Sequence, residues 1–202
     1  MSIQACLRHR PRLFNLLHCL RLVKAHSQTH PEEVACLRRH IAGALSAVEI
    51  GTFMGVTASH LAKALPKEGI LYCVDPYPRG GSIQAVAHRH IKRFGVWDRV
   101  RMLHSDSQKA MTSLPPHVDF FFVDGDHSYE GLQADWKVVK QLLRPGGIAA
   151  FHDTARSPDA VIHSEEAIRF FEDTIALDTD FEMIEQILSL SVIRRKSSSN
   201  EQ

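Results

Sequence analysis

The stretch 119-DFFFVDGDHSYEG-131 decides the fold. Val118, Phe120, Phe121, Phe122 and Val123 make an aromatic and β-branched run, as expected of a central strand buried on both faces. The run stops abruptly in Asp124, Gly125, Asp126 and His127. In open α/β sheets, ligands bind in the crevice beyond the carboxyl ends of the strands, so this strand end is the first place to look for chemistry.

Working outward, the same alternation recurs on both sides. Upstream, AVEIG (47–51) reads as a short strand and TFMGVTASHLAKAL (52–65) as a turn feeding a helix. ILYCVDPY (70–77) is a second strand, Ile83 to Phe94 a helix, and RVRMLH (99–104) a third strand, followed by SDSQKA and a short helix to Leu114. Downstream, Tyr129 to Leu143 is helical, and Pro145, Gly146 and Gly147 turn the chain into a fifth strand, IAAFHD (148–153). Strands alternating with helices at this spacing predict an α/β fold with a mainly parallel sheet covered on both faces. The ending differs. After a helix over His163 to Leu177, FEMIEQI and LSLSVIRR leave no room for a crossover helix and predict an antiparallel hairpin.

Leu13, Leu16, Leu17, Leu20 and Val23 recur at helical spacing, and a second helix starts at Pro31-Glu32-Glu33, with Thr29 or His30 before it and acids in its first turn. These helices are expected to cover the main domain or a second copy in a homo-oligomer. The expected organisation is a helical extension over 1–45, one domain over 46–195 and a disordered polar tail over 196–202.

The chain has 202 residues and 44% hydrophobic content, enough for one full-sized core. Lys plus Arg number 24 against 23 Asp plus Glu, so no global basic field points to nucleic acid, and a small ligand is the better expectation. No apolar run approaches the roughly 20 residues that span a bilayer. Cys6, Cys19, Cys36 and Cys73 form no CxxC pair, which fits a reducing cytoplasm. The first 31 residues hold five Arg or Lys and no acid, superficially like a transit peptide; little Ser and the helix start that follows favour a basic helical extension.

Three constellations carry chemistry. In 49-EIGTFMG-55, glycines at a strand-to-helix turn allow close approach of a ligand, and the helix behind them presents free N–H groups. A dinucleotide GxGxxG is absent. Asp75, just past the second strand, is placed to accept hydrogen bonds from ribose hydroxyls, although Asp75-Pro76 also reads as a turn start. Asp124 with His152 and Asp153 ends two strands with oxygen and nitrogen donors. Histidine at position 152 suits manganese, iron or zinc better than magnesium, while a strand-end histidine beside a capping aspartate is the bland alternative. His127 is a candidate proton acceptor. The charge-rich helix with Arg79, His88, Arg89, His90, Lys92 and Arg93 reads as a solvated face rather than a rim for an anionic acceptor, and Trp97 and Trp136 as packing residues.

EIGTFMG, VDPYP, SDSQKA, VDGDHSYEG and LLRPGGIAAFHDT, in this order and spacing, resemble class I S-adenosylmethionine-dependent methyltransferases. They resemble most the small metal-dependent O-methyltransferases that act on catechols and macrolide sugars. The resemblance covers about residues 46–195 and implies a Rossmann-like, seven-stranded sheet with a C-terminal antiparallel hairpin. It implies that Glu49, Gly51, Thr52 and Gly55 line the methionine and ribose part of S-adenosyl-L-methionine. Asp75 would hold the ribose hydroxyls, with Asp106, Ser107 and Gln108 beside the adenine; Ser105 and Asp106 also suit a helix cap. By the same resemblance Asp124, His152 and Asp153 hold Mg²⁺ or Mn²⁺, His127 is the general base beside Asp124, and the partner is a small hydroxylated acceptor. The family's usual pair at 152–153 is acid-acid or Asp-Asn, so His152 departs from it. The alternatives are a metal-independent methyltransferase of the same fold, a catalytically silent cofactor-binding or scaffold protein and, more distantly, a nicotinamide-dependent oxidoreductase.

Overall fold

The computed structural model describes residues 10–78, 81–157 and 164–197. Seven strands form one sheet: β1 (Ser46–Ile50), β2 (Ile70–Val74), β3 (Val100–Leu103), β4 (Val118–Val123), β5 (Leu143–Phe151), β6 (Phe181–Ile187) and β7 (Leu190–Arg195). Their order is β3-β2-β1-β4-β5-β7-β6. The first five pair in parallel, and β7 runs antiparallel between β5 and β6. The predicted parallel core and terminal hairpin are both present.

β4 lies at the centre for the reason its sequence gives. Phe120, Phe121 and Phe122 are fully buried. Alternation sends Phe121 into the core shared with Trp136 and Phe151, and Phe120 and Phe122 into the opposite core with Leu37, Leu61 and Ile91. Asp119 is the strand's polar exception. Its Oδ2 accepts from the backbone N–H groups of Leu45 and Ser46, both at 2.8 Å, and so fixes the entry to β1.

Helices α1 (Pro11–Cys19), α2 (Pro31–Ile41), α3 (Val56–Ala64), α4 (Gly81–Phe94), α5 (Ser107–Ala110), α6 (Tyr129–Leu142) and α7 (Glu165–Phe170) surround the sheet. α2, α3 and α4 cover one face; α6 and α7 cover the other. Trp136 is 4% exposed in the core on one face of the sheet, and Trp97 packs partly buried against the core on the opposite face, both as packing residues. α7 passes into a π turn over Phe171–Ile175. The predicted start of this helix at His163 lies outside the described residues, as do Arg79 and 198–202. Lys196 is still tied in, donating its backbone N–H to Asp180 O at 2.8 Å.

The N-terminal helix differs from expectation. α1 ends at Cys19 and turns Phe14 and His18 inward, leaving Leu13, Leu16 and Leu20 exposed by 38%, 56% and 59%. The reason is polar. Arg89 of α4 donates to Asn15 Oδ1 and faces His18 Nδ1, and Arg93 donates to the carbonyls of His18 and Cys19. Arg89 and Arg93 are therefore a clamp for α1, and that part of α4 is no solvated face. α2 begins with a capping box in which His30 and Glu33 satisfy each other's backbone N–H groups.

Candidate active site

Hydrogen bonding continues one residue beyond four adjacent strands and gathers the predicted residues at one sheet edge. Gly51 N–H donates to Val74 O, Asp75 N–H to Leu103 O, Asp124 N–H to Ile50 O and His152 N–H to Val123 O, at 2.8–3.1 Å. Each bond sets the first residue past a strand against its neighbour. Beyond that edge lies a cavity of about 890 Å³, within the size range of small-molecule sites.

Gly51, Thr52, Asp75, Asp106, Ser107, Gln108, Asp124 and His127 all line this cavity. Gly51 is forced by space and by backbone: its φ is +92°, and a Cβ there would stand 1.9 Å from Asp124 O. Gly55 caps α3 in a left-handed conformation, φ 75°. The Asp75 carboxylate accepts from the N–H of Phe53 at 2.8 Å and of Tyr77 at 2.6 Å. Phe53 and Tyr77 both have φ 47°, a left-handed conformation uncommon for aromatic residues, so Asp75 holds two strained turns on either side of itself.

Glu49 is fully buried at the end of β1, with Thr52 and Cys73 as its polar neighbours. Burial, with the Asp124 charge adding to it, pushes its pKa up to about 8. The carboxyl is therefore held largely neutral near pH 7, and neither Glu49 nor Gly55 is among the residues that line the cavity. Asp106 caps α5, accepting from Lys109 N–H at 2.9 Å, while Ser107 donates its hydroxyl to Asp135 Oδ1 at 2.5 Å. Both readings of SDSQ, cap and cavity wall, therefore hold together.

The second half of the site is a knot of acids and imidazoles. His127 Nε2 is 3.3 Å from Asp124 Oδ1 and 3.8 Å from Asp153 Oδ2. His152 Nδ1 is 3.1 Å from Asp124 Oδ1 and 3.5 Å from Asp153 Oδ2. One donor atom each of Asp124, His127 and His152 lies within 4.8 Å of the others. Both facing ring nitrogens are buried without an aligned hydrogen-bond partner. This set of nitrogen and oxygen donors fits a divalent ion, and Asp153, at φ 55°, is turned toward it from a strained backbone. Burial raises the pKa of Asp124, but the facing His152 and His127 charges overcome it and bring it to about 2. Burial likewise opposes charge on His152, yet Asp124, Asp153 and Glu33 push it up to about 12. For His127, burial is outweighed by Asp124 and Asp153, and its pKa is raised.

Two residues were missed by sequence reasoning. Glu33, read only as a first-turn acid, reaches His152 Nε2 at 3.0 Å across 119 positions of chain; no local pattern encodes that contact. Asp135, 6% exposed, borders the cavity, and burial pushes its pKa up to about 6. Its signal was an acid on the inner face of a helix whose other inner residues are apolar. The extension also enters the site: Pro11, Phe14, His26, Ser27 and Gln28 form a wall of the cavity.

A second donor cluster, Cys36, His40 and Glu185, is closed by its own contacts. His40 meets Glu185 at 2.8 Å and Arg39 meets it at 2.6 Å, while burial pushes the Cys36 thiol up to about 11. It reads as a staple between α2 and β6.

Strand order, glycine turn and acidic strand ends together define the class I methyltransferase fold. Residues 48–154 match the family described as a methyltransferase domain, and the chain belongs to that family. The Bacillus cereus O-methyltransferase in complex with SAH is similar over 92% of this chain and 90% of its own, with TM-score 0.67 and 21% identity. TomG from Streptomyces achromogenes, an O-methyltransferase in complex with SAM, is similar over 98% and 100%, with TM-score 0.63 and 19% identity. Among curated proteins, the flavonoid 3′,5′-methyltransferase of Vitis vinifera is 28% identical over 65% of this chain and 57% of its own length. The chain spans about half the length of the curated relatives it matches, from 48% to 67%.

Proposed function

We propose that the chain transfers the methyl group of S-adenosyl-L-methionine to a hydroxyl of a small molecule, with a divalent ion held by Asp124, His152 and Asp153. The observation that carries this reading is the knot of Asp124, His127 and His152 donors, of which Asp124 and His127 line the same cavity as Gly51 and Asp75 while His152 is buried behind them. The similarity to O-methyltransferases such as TomG supports an oxygen acceptor, and the similarity to the flavonoid 3′,5′-methyltransferase supports a flavonoid-like one.

S-adenosyl-L-methionine supplies an electrophilic methyl whose bond to sulfur breaks as the bond to the acceptor oxygen forms. A divalent ion supplies Lewis acidity that eases loss of the acceptor's proton. The chain's own residues do the rest. Asp75 presents negative charge to the cationic donor, while Glu49, buried at the end of β1, is held largely neutral near pH 7, and Gly51 and Gly55 let the donor lie against the backbone. Asp106, Ser107 and Gln108 border the adenine end. His127 Nε2 receives the acceptor's proton as the methyl arrives. Alignment of acceptor oxygen and methyl in the cavity supplies much of the rate.

One observation favours a second role for His127. Its Nε2 stands as close to Asp124 as a further ligand would, which makes it a candidate ligand as well as a candidate base. Calorimetric titration of S-adenosyl-L-methionine and of Mg²⁺ and Mn²⁺, with a screen of catechol, flavonoid and sugar acceptors, tests the whole reading. Binding, turnover, loss with EDTA and recovery with Mn²⁺ are expected. Full turnover after exhaustive chelation would remove the ion from the proposal; binding without turnover on any acceptor would favour the silent alternative. His127→Ala separates the two roles: a base costs roughly 10²–10⁴ in rate with Mn²⁺ affinity kept, whereas a ligand loses affinity.

A further inference from the structure

We propose that Glu33, from the N-terminal helical extension, is a positioning residue that aims the Nδ1 face of His152 into the site. This inference rests on the ion-assisted reading above for its consequence, but not for its geometry.

Glu33 is 2% exposed and His152 5% exposed, and their side chains meet at 3.0 Å between Glu33 Oε2 and His152 Nε2. Four donors converge on this one carboxylate. His30 N–H reaches Oε2 at 2.8 Å; Ser189 gives Oε1 its backbone N–H at 3.0 Å and its hydroxyl at 2.8 Å; His152 Nε2 completes the set. The carboxylate therefore cannot swing away without leaving several buried donors unpaired, each a cost of roughly 1–3 kcal/mol. It is held from three directions: its own helix start, the β6–β7 turn and the end of β5.

That rigidity fixes the imidazole. An acceptor-only carboxylate at Nε2 requires the ring to keep a proton there, so the nitrogen left to act on the site is Nδ1. Nδ1 is the atom that faces Asp124 Oδ1 at 3.1 Å and Asp153 Oδ2 at 3.5 Å. A carboxylate behind a ligating histidine orients the ring and raises its basicity, and removing such a partner typically weakens metal affinity roughly 10–100-fold. The arrangement also accounts for His152 where the resemblance implied an oxygen ligand: a histidine is useful there only if something turns its ring, and Glu33 is that group. The extension thus contributes to the reacting end of the cavity as well as to its wall.

The test uses the full chain, labelled with ¹⁵N-histidine, and the variants Glu33→Ala, Glu33→Gln and Ser189→Ala. In the ion-free protein the His152 Nε2–H resonance is expected to be protected from solvent exchange, to lose that protection in Glu33→Ala, and to keep part of it in Glu33→Gln, which retains a carbonyl acceptor. Mn²⁺ affinity, read by electron paramagnetic resonance, should fall roughly 10–100-fold in Glu33→Ala and less in Glu33→Gln. S-adenosyl-L-methionine affinity should change little in either. Ser189→Ala, which keeps the Ser189 backbone N–H on Oε1 together with the donors on Oε2, should lower melting temperature without moving the resonance. A Glu33→Ala protein with unchanged Nε2–H protection, or with unchanged Mn²⁺ affinity, would overturn the proposal. If Glu33→Ala does not fold, the same two readouts in Glu33→Gln decide it, unchanged values counting against. If the wild-type protein takes up no ion at all, the ion-assisted reading falls, and the resonance alone decides the role of Glu33.

Discussion

At the residue scale, the site depends on groups that tolerate little change because each occupies space or charge that another needs. Gly51 is the clearest case. A methyl at its Cβ position would stand 1.9 Å from Asp124 O, and both neighbours are tied to the sheet by backbone hydrogen bonds, so neither can retreat cheaply. Gly51→Ala should destabilise the protein by about 3 kcal/mol or more, lowering Tm by roughly 10 °C, and should weaken S-adenosyl-L-methionine binding. Gly43→Ala, where a Cβ meets nothing within 4 Å, is the matched control. Calorimetry of both variants checks this, and equal melting temperatures would show that the close approach is not needed. The glycine was legible in EIGTFMG because a strand-to-helix turn restricts residue choice locally. Glu33 was not legible, because its partners His152 and Ser189 come from the other end of the chain.

At the scale of elements, most strands were readable to within a residue or two, because buried strands are largely apolar, as Phe120, Phe121 and Phe122 are; β5 is the exception, starting at Leu143 and running through Pro145, Gly146 and Gly147, whose sequence reads as a turn. α1 was readable as a helix but not in its facing. Leucine periodicity argued for one stripe, and Arg89 and Arg93 of α4 selected another by pulling His18 inward. That buried contact has a pH consequence. His18 is 3% exposed; burial, then the Arg93 and Arg89 charges and His90, lowers its pKa from 6.5 to about 4. Its folded pKa lies below its unfolded one, so the neutral ring stabilises docking above about pH 6.5, and that stability drains away as pH falls toward 4. The full effect is on the order of 3 kcal/mol. Hydrogen exchange over residues 11–19 should therefore rise on going from pH 7.5 to pH 5, after correction for intrinsic rates, while β4 amides stay protected. In His18→Gln the extra pH dependence should vanish; if it persists, another group controls the docking of α1.

At the scale of the whole molecule, the sheet order brings Gly51, Asp75 and Asp124 together at one edge beside the cavity, a juxtaposition that follows from strands ending at the same level. Other parts come from outside the matched region: α1 and the segment to Gln28 form a wall of the cavity, and Glu33 contacts His152 behind Asp124. The extension is thus part of the site rather than an ornament on it. Removing residues 1–28 separates the two contributions, because α2 with Glu33 remains while the wall of Pro11, Phe14, His26, Ser27 and Gln28 is lost. The core faces that Phe14 covers, on Met54, Tyr77 and Ile83, become wet, but the two clusters astride the sheet stay intact. The truncated chain should therefore fold with a Tm lowered by only a few degrees, since about 1 kcal/mol moves Tm by roughly 2–4 °C in a protein of this size. Its S-adenosyl-L-methionine affinity should drop at least roughly tenfold, a loss of about 1.4 kcal/mol, because Phe53 and Tyr77, the strained residues that brace Asp75, lose their outer packing. Mn²⁺ affinity should be unaffected. A truncated chain that binds the methyl donor as tightly as the intact one would show that the extension merely lies over a complete site.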